Sequence, residues 1–184
     1  APRVSLERND SHIEIIEGQS LAFRCNADAL PEPTNYTWTK MNHSISALPT
    51  LYIEEVKRKD AGRYICTATN LIGAGNIETE LTVFYSPDIT MRYSPHNEML
   101  SCMPRGNPEN YTFYRWEHTS DYGDHVRFLS GSTNGSLIFQ NDSGNAIEYQ
   151  NNGYYKCTVS NGIPDSNGLT NQSASMFMPV SELQ

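Results

Sequence analysis

Two cysteine frames, each enclosing a single tryptophan, constrain this chain more than any other feature. The first runs Cys25, Trp38, Asp60, Gly62, Tyr64, Cys66, and the second Cys102, Trp116, Asn151, Gly153, Tyr155, Cys157. An internal repeat of this length divides the 184 residues into two units of about 90 residues each, enough for two small domains. Domains of that size bury only about 60 to 68% of the surface their unfolded chains expose, so a covalent cross-link contributes appreciably to their stability.

Four cysteines allow three connectivities, and their spacing alone does not choose among them. The repeat favours pairing within each frame, Cys25 with Cys66 and Cys102 with Cys157, because either crossed pattern ties two separate cores together. Each loop so closed is worth about 4 kcal/mol in a chain-entropy account. A zinc site fits poorly, since no two cysteines are separated by only two to four residues and no histidine stands at ligand spacing from any of them.

Seven N-x-[ST] sequons, at Asn9, Asn35, Asn42, Asn110, Asn134, Asn141 and Asn171, point with the even cysteine count to an oxidising compartment and a glycoprotein. The expected location is therefore extracellular, as a secreted protein or an ectodomain. No signal peptide and no apolar run of membrane-spanning length is present, so a mature or excised segment is expected, with any anchor elsewhere. The formal net charge of −8 argues against a nucleic-acid partner. Lys57, Arg58 and Lys59 form the only basic run, read as a solvated face or an ion pair with Asp60.

Apolar residues recur at intervals of two, as in Val4 and Leu6, or Leu21, Phe23 and Cys25, which is the period of half-buried strands. Residues at i and i+2 share a face, so Tyr36 and Trp38 turn inward together, as do Tyr64, Cys66 and Ala68, and Leu81 with Val83.

With these residues in place the chain resembles the immunoglobulin superfamily, and within it the I-set or C2-type modules of adhesion and recognition receptors. In the first repeat the resemblance rests on Gly18, Leu21, Phe23, Cys25, Trp38, Leu51, Ile53 and Val56. It continues through Asp60, Gly62, Tyr64, Cys66, Ala68, Asn70, Gly73, Leu81 and Val83. It implies an all-β chain of two tandem Greek-key β-sandwiches, each with one intersheet disulfide, the tryptophan packed on the bridge and a tyrosine corner two residues before the second cysteine. The expected domains are residues 1–85 and 86–184.

The second repeat departs from the first. Asn151 stands where the first has Asp60, which puts in doubt the ion pair that the family often makes there. Residues 140–146 hold a five-residue insertion bearing the Asn141 sequon, and the segment from Trp116 to Leu137 is long enough for extra edge strands or a long loop. Residues 162–171 read as an extended loop before the last strand.

Catalysis finds little support: G-x-S-x-G, H-E-x-x-H and P-loop motifs are all absent. The cluster His118, Asp121, Asp124 and His125 carries metal-ligating atoms, yet it lacks the spacing of a calcium loop and reads as a polar surface loop. No cofactor or metal is expected. The resemblance implies recognition by sheet faces and loop tips. In the first domain, strands C, F and G are expected to expose Thr37, Thr39, Ile65, Thr67 and Thr69, with Leu71 and Ile72 at the hairpin tip as a second contact. The expected partner is a protein on an opposing cell or a soluble ligand, homophilic contact included, with N-linked glycans attached and no membrane contact by this segment. The alternatives are a lectin-like immune factor that binds glycans or microbial surfaces, and a structural spacer. The strand-F arginine motif of sialic-acid-binding members is not matched by Arg63 and Thr67.

Overall fold

The structure, a computed structural model, describes residues 1–7, 11–139 and 152–179. The chain divides into two compact units, Ala1–Phe84 and Tyr85–Gln184. Tyr85 groups with the second unit because it pairs with Asn107 and its carbonyl accepts a hydrogen bond from Asn161 Nδ2 at 2.9 Å.

Unit 1 contains β1 (Arg3–Leu6), β2 (His12–Ile16), β3 (Leu21–Asp28), β4 (Asn35–Lys40), β5 (His43–Ser46), β6 (Thr50–Ile53), β7 (Gly62–Asn70) and the first part of β8 (Gly73–Ser94). One sheet has the order β1-β3-β6. The other runs β8-β7-β4-β5, and β2 adds to it in parallel along β8. The leading segment thus serves both sheets: β1 pairs with β3, and β2 pairs from His12↔Glu80 to Ile16↔Phe84.

The alternation seen in the sequence becomes burial. Phe23, Cys25, Trp38, Val56, Tyr64, Cys66, Leu81 and Val83 form the core between the sheets. Side chains such as Leu81 and Val83, each 1% exposed, contribute about 1.5 to 3 kcal/mol apiece. Cys25 is bonded to Cys66 across the sheets. The Tyr64 hydroxyl donates to the Asp60 carbonyl at 2.7 Å, and the Trp38 indole N–H donates to Pro49 O at 3.3 Å. Asp60 ends a single 3₁₀ turn, Arg58–Asp60, where its carboxylate accepts from the Lys57 N–H at 2.8 Å. Arg58 Nε lies 3.0 Å from Glu17 Oε2.

Unit 2 holds the rest of β8, then β9 (Met99–Asn107), β10 (Thr112–Phe113), β11 (Trp116–Thr119), β12 (His125–Leu129), β13 (Ser136–Ile138), β14 (Gly153–Ser160) and β15 (Gln172–Met178). Here β13 and β9 pair with the later residues of β8, while β10, β14, β11 and β12 form the facing sheet with β15 on the free side of β14. The length between Trp116 and Leu137 is partly the extra edge strand β12. Cys102 is bonded to Cys157 beside Leu100, Trp116, Tyr155 and Met178. Ile147, Asn151 and the 140–146 insertion lie outside the described residues.

Candidate interaction surface

Strand register assembles the face expected in unit 1. Thr37 pairs with Thr67, Thr39 with Ile65, and Asn35 with Thr69, so these side chains occupy adjoining positions on one side of the sheet. Along β8 the row continues, with Ile65 opposite Glu78 and Thr67 opposite Asn76. Thr37, Thr39, Ile65, Thr67 and Thr69 are each half-buried, and they alternate with fully buried Trp38, Tyr64, Cys66 and Ala68. Arg63 and Glu78 form an exposed ion pair at 3.3 Å on this sheet. The result is a shallow, threonine-rich surface with one apolar centre at Ile65.

The hairpin tip is built differently. Leu71 is 89% exposed and Ile72 66%, so neither tucks back onto the sandwich. Asn70 holds the tip: its Oδ1 accepts from the N–H groups of Ile72 at 2.9 Å and Gly73 at 3.1 Å, and its Nδ2 donates to Pro31 O at 2.7 Å. The 28–34 loop, which presents an exposed Leu30, is thereby tied to the 70–73 turn by one buried amide.

Of the sequons, Asn35, Asn42, Asn110, Asn134 and Asn171 are exposed, while Asn9 and Asn141 lie outside the described residues. Asn35 sits opposite Thr69, at one end of the threonine face. Asn42 stands with Met41 at the β4–β5 turn, where both adopt positive φ.

The polar cluster after Trp116 does not converge. Asp121, Asp124 and His125 are exposed, but His118 is fully buried, which corrects the surface-loop reading for that residue. Its ring stacks on Tyr155 with centroids 4.4 Å apart and planes 7° from parallel. Its Nε2 contacts Asn152 O at 3.0 Å, so that nitrogen carries the proton, and its Nδ1 has no hydrogen-bond partner. Burial lowers its proton affinity; the Asn152 carbonyl opposes the shift and the Arg127 charge adds to it. His125 instead pairs with Glu117 at 3.1 Å. Among the described residues no group of three or more His, Cys, Asp or Glu side chains is arranged to hold a metal ion.

The sequence did not single out the outer face of the β14–β11–β12 sheet in unit 2. There Tyr154, Phe177 and Phe128 are 42%, 40% and 51% exposed. Their outward direction depends on register, and a bulge between His118 and Thr119 shifts that register along β12.

Each unit is a disulfide-bridged β-sandwich, and residues 1–70, within the first of them, match the family model described as immunoglobulin domain. Among curated relatives it is 28% identical to the neuronal cell adhesion molecule of Rattus norvegicus, over 84% of this chain and 13% of that protein. It is 28% identical to vascular cell adhesion protein 1 of Homo sapiens, over 79% of this chain and 20% of that protein. The chain spans between 12 and 22% of the length of the curated relatives it matches. Among solved structures, 96% of the chain superposes on 63% of a chain in the complex of Dpr2 Ig1-Ig2 with DIP-Theta Ig1-Ig3, with a TM-score of 0.56 at 18% identity. The N-terminal four Ig domains of Dscam1 isoform 7.44 give a TM-score of 0.53 at 17% identity, covering 96% of this chain and 46% of that one. At these identities the likeness to solved structures bears on fold alone. Among the described residues no helix is long and apolar enough to cross a membrane.

Proposed function

We propose that this chain is an extracellular recognition segment that binds another protein, on an opposing cell or in solution, without catalysis. The observation that carries the reading is the register of β4 and β7, which gathers Thr37, Thr39, Ile65, Thr67 and Thr69 into one half-buried row. Short hydroxyl side chains around a single apolar residue present hydrogen-bonding groups that a partner can satisfy as water is excluded around Ile65. Leu71 and Ile72, fixed by Asn70, extend the contact at the loop end of the same unit. Sugars on the exposed sequons, Asn35 foremost, would confine access to the part of the face away from Thr69. The relatedness to adhesion proteins supports the same reading.

The test is staining of a panel of cell lines with fluorescent tetramers of the glycosylated chain. Ile65→Glu is expected to lower staining while leaving the circular dichroism of the chain unchanged. Unaltered staining removes this face. Staining lost on enzymatic removal of cell-surface glycans, and retained after protease treatment, assigns a lectin activity instead.

A further inference from the structure

We infer that the outer face of the β14–β11–β12 sheet in unit 2 is a self-docking surface, whose occupant is the same face of a second copy of this chain. It extends the recognition reading to self-contact, on a unit the threonine face does not involve.

Three exposed aromatic side chains share one side of this sheet. Tyr154 pairs with Phe177 across β14 and β15, their ring centroids 5.1 Å apart, and Phe128 stands opposite Glu117 across β12 and β11. Aromatic residues are the ones most enriched at interface centres, and three on one polar-edged sheet exceed scattered surface exposure. Between them lies a charge pair: Lys156 Nζ is 3.5 Å from Glu117 Oε2, on cross-strand partners of β14 and β11.

That arrangement fits itself. In an isologous contact, residue i meets j and j meets i. A two-fold axis lying in the interface, parallel to the strands and between β14 and β11, exchanges the two strands. Lys156 of each copy then meets Glu117 of the other, closing a ring of four alternating charges. The same operation sets Phe177 against the exposed His125 and Phe128 against Ser175, because these positions lie in matching rows of the register. A single sign of charge at the centre would repel a second copy; one of each sign does not. Among the described sequons, Asn171 is the one that shares the outward parity of Ser173, Ser175 and Phe177. It lies six residues before Phe177, about 20 Å along an extended strand, so a sugar there leaves the aromatic end open.

The experiment is sedimentation velocity on the whole glycosylated chain over a wide concentration range. The wild-type sedimentation coefficient is expected to rise reversibly with concentration, and Phe177→Ala to weaken the association about tenfold. Lys156→Glu alone and Glu117→Lys alone are each expected to remain monomeric, because each then meets its own charge. An equimolar mixture of the two is expected to associate. Ile65→Glu is expected to leave self-association unchanged while lowering cell staining, so the two readings fail separately. A wild-type chain that stays monomeric, or single charge variants that self-associate like the wild type, overturns the inference. So does a mixture of folded variants that stays monomeric, and so does loss of association in Ile65→Glu.

Discussion

The His118 ring lies flat on the Tyr155 ring in unit 2, where unit 1 sets the Lys40 ammonium 5.0 Å over the ring of Tyr64. Each partner stands two residues after the core tryptophan. A lysine reaches past the tyrosine to Lys59 O, at 2.7 Å, and keeps its charge at the sandwich edge. An imidazole ends inside the core, with one nitrogen bonded and the other bare.

That placement makes unit 2 sensitive to acid. The folded proton affinity of His118 is lowered by burial first, whereas an unfolded histidine titrates near about 6.5. The unfolded state therefore binds the extra proton more readily as pH falls. Stability is fully present above about pH 6.5 and is lost as pH drops from there towards the folded value. Thermal unfolding followed through the Trp116 indole resonance is expected to shift to lower temperature between pH 7.5 and 5.5. His118→Phe, which keeps the stacked ring, is expected to flatten this dependence.

Tyr64 responds at the opposite end of the scale. Burial, with the Asp60 carboxylate adding to it, pushes its phenol up to about 12. Unfolded tyrosine ionises near about 10, so the stabilisation is complete below that pH and is lost as pH rises to about 12. Alkaline difference spectroscopy is expected to show Tyr64 ionising only with unfolding of unit 1, beside Tyr155 of unit 2, whose phenol burial also pushes up. The unit 1 part of that phase is expected to vanish in Tyr64→Phe, which also gives up the bond to Asp60 O and with it about 1 kcal/mol of unit 1 stability.

Gly62 and Gly153 open β7 and β14 at matching places, with φ of 122° and 139°. A Cβ at Gly62 meets nothing nearer than Lys40 Cε at 3.8 Å, while one at Gly153 would fall 2.0 Å from Thr119 O. Gly62→Ala is therefore expected to lower stability by about 1 kcal/mol through backbone strain. Gly153→Ala is expected to lower it by about 3 kcal/mol or more, because the clash is with backbone. Urea unfolding of the two variants measures the difference.

Asn70→Ala removes two acceptor contacts and one donor contact at once, and is expected to destabilise unit 1 by about 2 to 3 kcal/mol. Leu71→Ser, at a site 89% exposed, is expected to stay within about 0.5 kcal/mol of the wild type. Thermal denaturation of both variants separates the scaffold of the tip from what it displays.

Much of the architecture was legible because period-two alternation and the repeated frame report directly on which side of a strand a residue lies. Trp38, Tyr64 and Cys66 are buried as their spacing implies, and Thr37, Thr67 and Thr69 take the other side. His118 was misread because a polar residue two positions after a tryptophan has the parity of the core, and composition outweighed parity. The Asn70 contact to Pro31 spans 39 residues of sequence and leaves no local trace. The aromatic face of unit 2 stayed hidden because β12 could not be registered against β11 without knowing of the bulge between His118 and Thr119.

The parallel pairing of β2 with β8 has a mechanical consequence. Tension carried by the chain at Ser11 and at Phe84 pulls β2 from its His12 end and β8 from its Phe84 end, in opposite directions along their shared length. The five registered residue pairs are then loaded in shear and must give way together, whereas the hydrogen bonds of a hairpin pulled apart at its open end fail one after another. Unit 1 is thus oriented to resist stretching along its own chain direction.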